Sequence, residues 1–228
     1  MYWTKSRYLN IVSMQLWDEQ LEAWDTAGRK GREPKLADIP EKGQSDVYER
    51  EALKLYDRIL KEYPRYARKD EVLYNLGASL YDAGKKKKGV RMYWKLLKQF
   101  PKSDFAADAW LQLGEHFFSL GPNKLSQAVK AYGKAAQSKK PRIYSYAVYK
   151  LGWCDYNLQE YERALKRFRT VVEFSKKVNA GKRSANEKKG SIQLYEEALS
   201  DMVRVYSHLD SVNDAFDYYT EELGKKDA

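Results

Sequence analysis

A leucine–glycine pair recurs along this chain at Leu76-Gly77, Leu113-Gly114 and Leu151-Gly152, at spacings of 37 and 38 residues. A repeat of this period is one supersecondary unit that buries its apolar face only against its neighbours. The context recurs with the pair. Three residues before each Leu stand Leu73, Trp110 and Val148, and four after it stand Leu80, Phe117 and Asp155. A second segment follows, marked by a small residue and an aromatic four positions on: Gly89 and Tyr93, Ala128 and Tyr132, Ala164 and Phe168. A proline often closes the unit, as in Tyr63-Pro64 and Phe100-Pro101, with Lys140-Pro141 a looser echo.

The segments between the prolines read as helices. All six prolines fall in connections, and strict two-residue alternation of apolar and polar residues is absent. Gly77, Gly114 and Gly152 let two helices approach closely, and Gly89, Ala128 and Ala164 do the same on the second helix. Trp110, Tyr132 and Phe168 then fill the space between.

Composition removes several classes of function. With 43% hydrophobic and 32% charged residues in 228, the chain is too apolar for disorder and too polar for a membrane bundle. No run approaches the 18 apolar residues of a spanning helix. A single cysteine, Cys154, excludes an intrachain disulfide framework and a cysteine-based zinc site. The two histidines, His116 and His208, lie far apart, which argues against a histidine-rich metal or acid–base centre. No phosphate-cradling glycine loop is present, since "GKKKKG" lacks the required spacing. The expectation is a protein that is not an enzyme and needs no cofactor.

The paired-helix pattern resembles the tetratricopeptide repeat. The resemblance implies an all-α fold, a right-handed superhelix or α-solenoid of antiparallel helix pairs. Residues 70–103 and 107–142 fit well, and 145–175 fits except that Asp155 stands where an aromatic is wanted. In 196–225, Leu199, Met202, Tyr206, Ala215 and Tyr219 keep the spacing, but Val203 replaces the glycine. Residues 46–64 match only a second helix, whose partner is sought in 5–26 across a loop-like stretch, 28–45. The expected organisation is therefore an amino-terminal helix and loop over 1–45, a partial repeat over 46–69 and three repeats over 70–175. A basic mobile insertion over 176–190 and a divergent repeat over 191–228 complete it. The longer first helix after a proline linker, as in "FPKSDFAADAWLQLGEHFF", also resembles bacterial cell-envelope repeat proteins. Examples are the Tol–Pal-associated periplasmic coordinator, the lipoprotein that assists outer-membrane β-barrel assembly, and repeat proteins of gliding motility. That likeness implies a periplasmic or envelope location. A cytoplasmic one stays open, because Met1 to Trp17 does not read as a secretory signal unless the chain is an excised mature fragment.

In such a fold the first helix of each unit lines the concave face. The positions five and two before the Leu, then two, five and six after it, share one side of that helix. From Leu76 they are Glu71, Tyr74, Ala78, Tyr81 and Asp82. From Leu113 they are Asp108, Leu111, Glu115, Phe118 and Ser119, and from Leu151 Tyr146, Tyr149, Trp153, Tyr156 and Asn157. These positions hold eight large apolar or aromatic residues, four carboxylates and no Lys or Arg. Large rings are favoured at binding hot spots, and carboxylates beside them suit Lys or Arg of a partner. The expectation is a scaffold that grips a peptide or helix in an aromatic, acidic groove. The competing reading packs the same rings against neighbouring helices of the stack. The Lys, Asn and Arg clamp of repeats that hold a terminal carboxylate is missing, its places being taken by Tyr74, Ala78, Leu111, Glu115, Tyr149 and Trp153.

The net charge of +10 sits elsewhere, in Arg65, Arg68 and Lys69, in Lys139, Lys140 and Arg142, in 175–190, and in Lys85 to Lys88. These basic connections offer a contact for an anionic surface, and nucleic-acid binding along them is the alternative function. The bland reading is a solvated face. Near the amino end, Leu9, Val12, Leu16, Leu21 and Trp24 share a side with Trp17, as a cap on the solenoid or a dimer contact would.

Overall fold

A computed structural model describes residues 2–180, 185–209 and 211–224, and among these the regular structure is entirely helical. The helices are α1 (Tyr2–Thr26), α2 (Pro40–Glu62), α3 (Lys69–Asp82), α4 (Lys86–Gln99) and α5 (Ala106–Ser119). They continue as α6 (Leu125–Ala135), α7 (Pro141–Asn157), α8 (Tyr161–Ala180), α9 (Ala185–His208) and α10 (Val212–Gly224). Pro40 and Pro141 open α2 and α7, where a missing N–H costs nothing. The chain divides into two compact units, Met1–Gln99 and Phe100–Ala228. The division falls inside the stretch expected as three consecutive repeats, so each unit is described by itself.

In the first unit α1 pairs with α2, α3 pairs with α4, and α2 packs on α3. The amino-terminal segment is thus one arm of a helix hairpin, the partner sought for residues 46–64. Its arm α2 starts at Pro40, inside the stretch expected as loop. Serines allow the close approach: Ser45 Oγ donates to the Ser6 carbonyl at 2.8 Å, with both residues buried. Trp17 and Trp24 turn toward the connection, their indole N–H groups donating to the Pro34 and Gly31 carbonyls at 3.0 and 3.4 Å. In α3 and α4 the repeat's steric logic is visible atom by atom. A Cβ at Gly77 would lie 2.7 Å from the Tyr93 ring, and a Cβ at Gly89 would lie 2.6 Å from the Gly77 carbonyl oxygen. Gly84, at φ +73°, reverses the chain between the two helices. Gly89→Ala is expected to destabilise this unit by about 1–2 kcal/mol. The overpacking of backbone on backbone exceeds the gain in helix propensity. Chemical denaturation checks it, and an unchanged midpoint would refute the close-approach argument.

In the second unit α5 pairs with α6, α7 with α8, and α8 lies against α9. The same device recurs: a Cβ would meet the Tyr132 ring at 2.5 Å from Gly114 and the Phe168 ring at 2.7 Å from Gly152. Tyr132 and Phe168, the rings that those glycines admit, are fully buried, as are Met202 and Val205 of α9. Asp155, at the position where the repeat wants an aromatic, is only 1% exposed. It accepts from Arg163 at 2.5 Å and lies 3.5 Å from Arg167, so an ion pair from α8 replaces a ring contact. The stretch expected as an insertion is mostly helix, because α8 runs to Ala180 and α9 begins at Ala185. Of it, 181–184 lie outside the described residues, as do the side chains of 185–192.

The last hairpin departs from the others where the glycine is lost. Val203 is 56% exposed, and an open apolar cleft of about 710 Å³ separates it from α10, lined also by Tyr206, Val212, Phe216 and Tyr219. Helix α10 is held by Ala215, Tyr218 and Tyr219 packed on the core and by polar contacts. Tyr195 Oη donates to Glu222 at 2.5 Å, Lys176 pairs with the same carboxylate, and Tyr219 Oη donates to the Leu199 carbonyl at 2.5 Å.

Candidate binding wall

The positions expected to line a groove divide between the two units. On α3 of the first unit, Glu71, Tyr74 and Tyr81 are half-buried and Asp82 is exposed. Tyr74 leans on Tyr93 at 5.9 Å, Lys86 lies 5.5 Å above the Tyr81 ring, and Arg68 pairs with Glu71 at 2.5 Å. Burial raises the Asp82 carboxyl above its usual range, opposed by Arg7. This face is therefore not a row of free rings and acids.

The second unit brings the other candidates together on α5 and α7. Tyr146, Tyr149, Trp153 and Tyr156 fall at i, i+3, i+7 and i+10, a single stripe along α7. All four are half-buried, as are Asp108, Leu111, Glu115 and Phe118 on α5, while Asn157 is exposed. Ring contacts set the stripe's geometry. Phe168 of α8 lies beneath, 5.6 Å from Tyr149 and 6.0 Å from Trp153. Trp153 meets Tyr156 edge-on at 5.4 Å. Neighbouring-helix packing and exposure are thus both realised on the same rings: each is held by neighbours and stays partly exposed.

Helix α9 supplies the wall's third strip. Tyr149 Oη donates to Asp201 at 2.6 Å, Tyr156 Oη lies 3.0 Å from His208 Nε2, and Arg204 sits 5.9 Å over the Trp153 ring. His208 also stacks on Tyr161 at 4.4 Å, nearly parallel. Burial, then Glu115 and Glu197, pushes the Tyr146 hydroxyl up to about 12, so it remains a donor at neutral pH.

One expectation is corrected here. The wall was expected to carry carboxylates without Lys or Arg, yet Lys140 donates to Asp108 at 2.9 Å and Lys150 pairs with Glu115 at 3.4 Å. Lys150 also lies 4.4 Å over the Phe118 ring. Counting five positions per helix omits Lys150, one residue before Leu151, and Lys140, just before α7. Glu115 is further held by the Tyr132 hydroxyl at 2.7 Å. The acids of α5 are thus internally matched, and the wall's other carboxylates, Glu197 and Asp201, come from α9.

Glu197, though not Asp201, had a signal in the sequence, as did Arg204 and His208. The same offsets counted from Met202, the Leu equivalent before Val203, give Glu197, Ser200, Arg204, Ser207 and His208. Beside the stripe, Cys154 is buried, and burial followed by Asp155 pushes its thiol up to about 12, which leaves it unreactive. Among the described residues no group of three His, Cys, Asp or Glu side chains is placed to hold a metal ion.

Glycine-spaced helix hairpins with a ring-bearing first helix define a tetratricopeptide-repeat fold. The tetratricopeptide-repeat family model matches residues 71–103 and 146–174, the α3–α4 and α7–α8 hairpins. Among solved structures the chain is similar to a crystal structure of MamA protein, with a TM-score of 0.54 and 17% identity over 94% of this chain and 92% of that one. A structure described as the MamA RS-1 ArsTM double mutant gives 0.53 and 14% identity, covering 98% of this chain and 96% of that one. At this identity the likeness is one of fold. A search of curated proteins gives no match.

Proposed function

We propose that this chain is a non-catalytic scaffold that binds a partner polypeptide on the α7 stripe of its second unit. The observation that carries the reading is the row Tyr146, Tyr149, Trp153 and Tyr156, each half-buried and held by a neighbour. Rings already held in place lose little freedom on binding, and Trp and Tyr dominate hot spots. Glu197 and Asp201 beside them suit a Lys or Arg of the partner, the ion-pairing role first expected of Glu71, Asp82, Asp108 and Glu115. The resemblance of the proline-linked first helices to cell-envelope repeat proteins favours a bacterial envelope or motility complex as its setting, which fractionation of the source cells would test.

Trp153→Ala is expected to weaken the partner complex by about 2 kcal/mol or more, roughly thirtyfold in Kd. The measurement is a titration of wild type and variant against a partner first captured by photo-crosslinking from position 157. Circular dichroism controls for the fold. Equal affinities in the two proteins would remove the stripe from the binding surface.

A further inference from the structure

We infer that the outer face of α4 is a docking surface for anionic phospholipid. Between Asp82 and Asp104 the sequence has no Asp or Glu and has eight cations, seven Lys and one Arg. The structure sets part of this run on a helix, not in a connection as first expected, because α4 begins at Lys86. Gly89, Tyr93, Leu96 and Leu97 form its buried side. Lys87, Arg91, Lys95 and Lys98 project from the opposite side and are exposed. Among the described residues none of these four enters an ion pair, although ion pairs are frequent elsewhere in the chain. Trp94, 43% exposed, stands among them.

The placement of the charge argues for a ligand. Lys86, Lys87 and Lys88 occupy the first turn of α4, which holds no acid. Cations there oppose the positive end of the helix macrodipole, whereas the last turn would accommodate them favourably. Solubility alone is served equally well by either end. An anionic surface laid against the helix is attracted both by these lysines and by the positive helix end, which offsets their mutual repulsion.

The residue types select among anions. Base readout in duplexes relies on bidentate Arg forks, and single strands are held by rows of aromatic platforms. This face has one Arg, one Trp and a majority of Lys, whose flexible point charges suit a field of laterally mobile headgroups. A tryptophan flanked by cations on an amphipathic helix matches the headgroup boundary, where its ring is amphipathic in the same sense. The inference concerns α4 alone and stands or falls separately from the α7 wall.

The test is sedimentation of the full chain with vesicles. Wild type is expected to bind vesicles containing phosphatidylglycerol, to release as salt rises, and to ignore pure phosphatidylcholine. Replacing Lys87, Arg91, Lys95 and Lys98 together by Gln is expected to cut partitioning by more than about a hundredfold, at roughly fivefold per cation. A second variant, Lys87→Glu with Lys88→Glu, puts acids in the first turn. It is expected to sediment less while melting at or above the wild-type temperature, a combination that misfolding does not produce. No binding to anionic vesicles, equal binding to neutral ones, or undiminished binding of the fourfold Gln variant overturns the inference. Capture by oligonucleotides without capture by vesicles also overturns it and assigns the face to nucleic acid.

Discussion

Replacing both Arg163 and Arg167 by Ala is expected to destabilise the second unit by about 3–5 kcal/mol, a fall of about 10 °C or more in Tm. The cause is the residue left behind. Asp155 is 1% exposed and has those two guanidiniums as its ion-pair partners, from successive turns of α8. Without them a carboxylate remains in the interior with neither water nor a counter-charge. The matched experiment changes the anion. Asp155→Phe restores the ring the repeat pattern calls for and leaves the two half-exposed arginines free to hydrate. It is expected to cost less than the double arginine variant, since well-packed apolar replacements of buried pairs are often neutral or better. Thermal melts of the wild type and both variants decide the point. If the aspartate substitution proves the more damaging, the pair is not what joins α7 to α8.

Phe168→Ala is the second large effect, expected at about 3–5 kcal/mol from lost burial and the cavity left behind. It differs from other core truncations in also reaching the binding wall. The Phe168 ring fills the space opposite Gly152 and supports Tyr149 and Trp153 from beneath. Partner affinity is therefore expected to fall with the substitution even at temperatures where the chain stays folded. Val205→Ala, equally buried on α9, serves as the control: it lowers stability while leaving the stripe's support in place. Titrations of both variants at 10 °C below the lower Tm, alongside circular dichroism, separate the two effects. Equal affinities for the two variants would detach Phe168 from the wall.

The fold was legible because its determinants are local and steric. Leu-Gly followed by a small residue and a ring is what two helices in close contact require, and the rings found against Gly77, Gly114 and Gly152 are those the spacing named. The stripe on α7 was legible for a similar reason, since helical periodicity alone puts Tyr146, Tyr149, Trp153 and Tyr156 on one side. The wall's electrostatics were not legible. Lys150 lies 35 residues from Glu115 and Lys140 lies 32 from Asp108, so periodicity within one helix is blind to both pairs. The α9 contribution was missed because the groove offsets were counted only from the three Leu-Gly pairs, although Met202-Val203 marks the same register and gives Glu197, Arg204 and His208. The start of α2 at Pro40 was hidden by a charged, glycine-containing opening turn that reads as loop until α1 is seen packed against it.

Val203 has a dynamic consequence as well. Where a glycine would let the two arms of the last hairpin close on each other, a branched side chain stands in the gap, and α10 hangs from Glu222, Tyr219 and Arg169. An arm with an open apolar cleft along one side is held by less packing than a glycine-spaced hairpin, even where its anchors are buried. Within the second unit, unravelling therefore begins at α10, and the α7 stripe lies in the part that opens last.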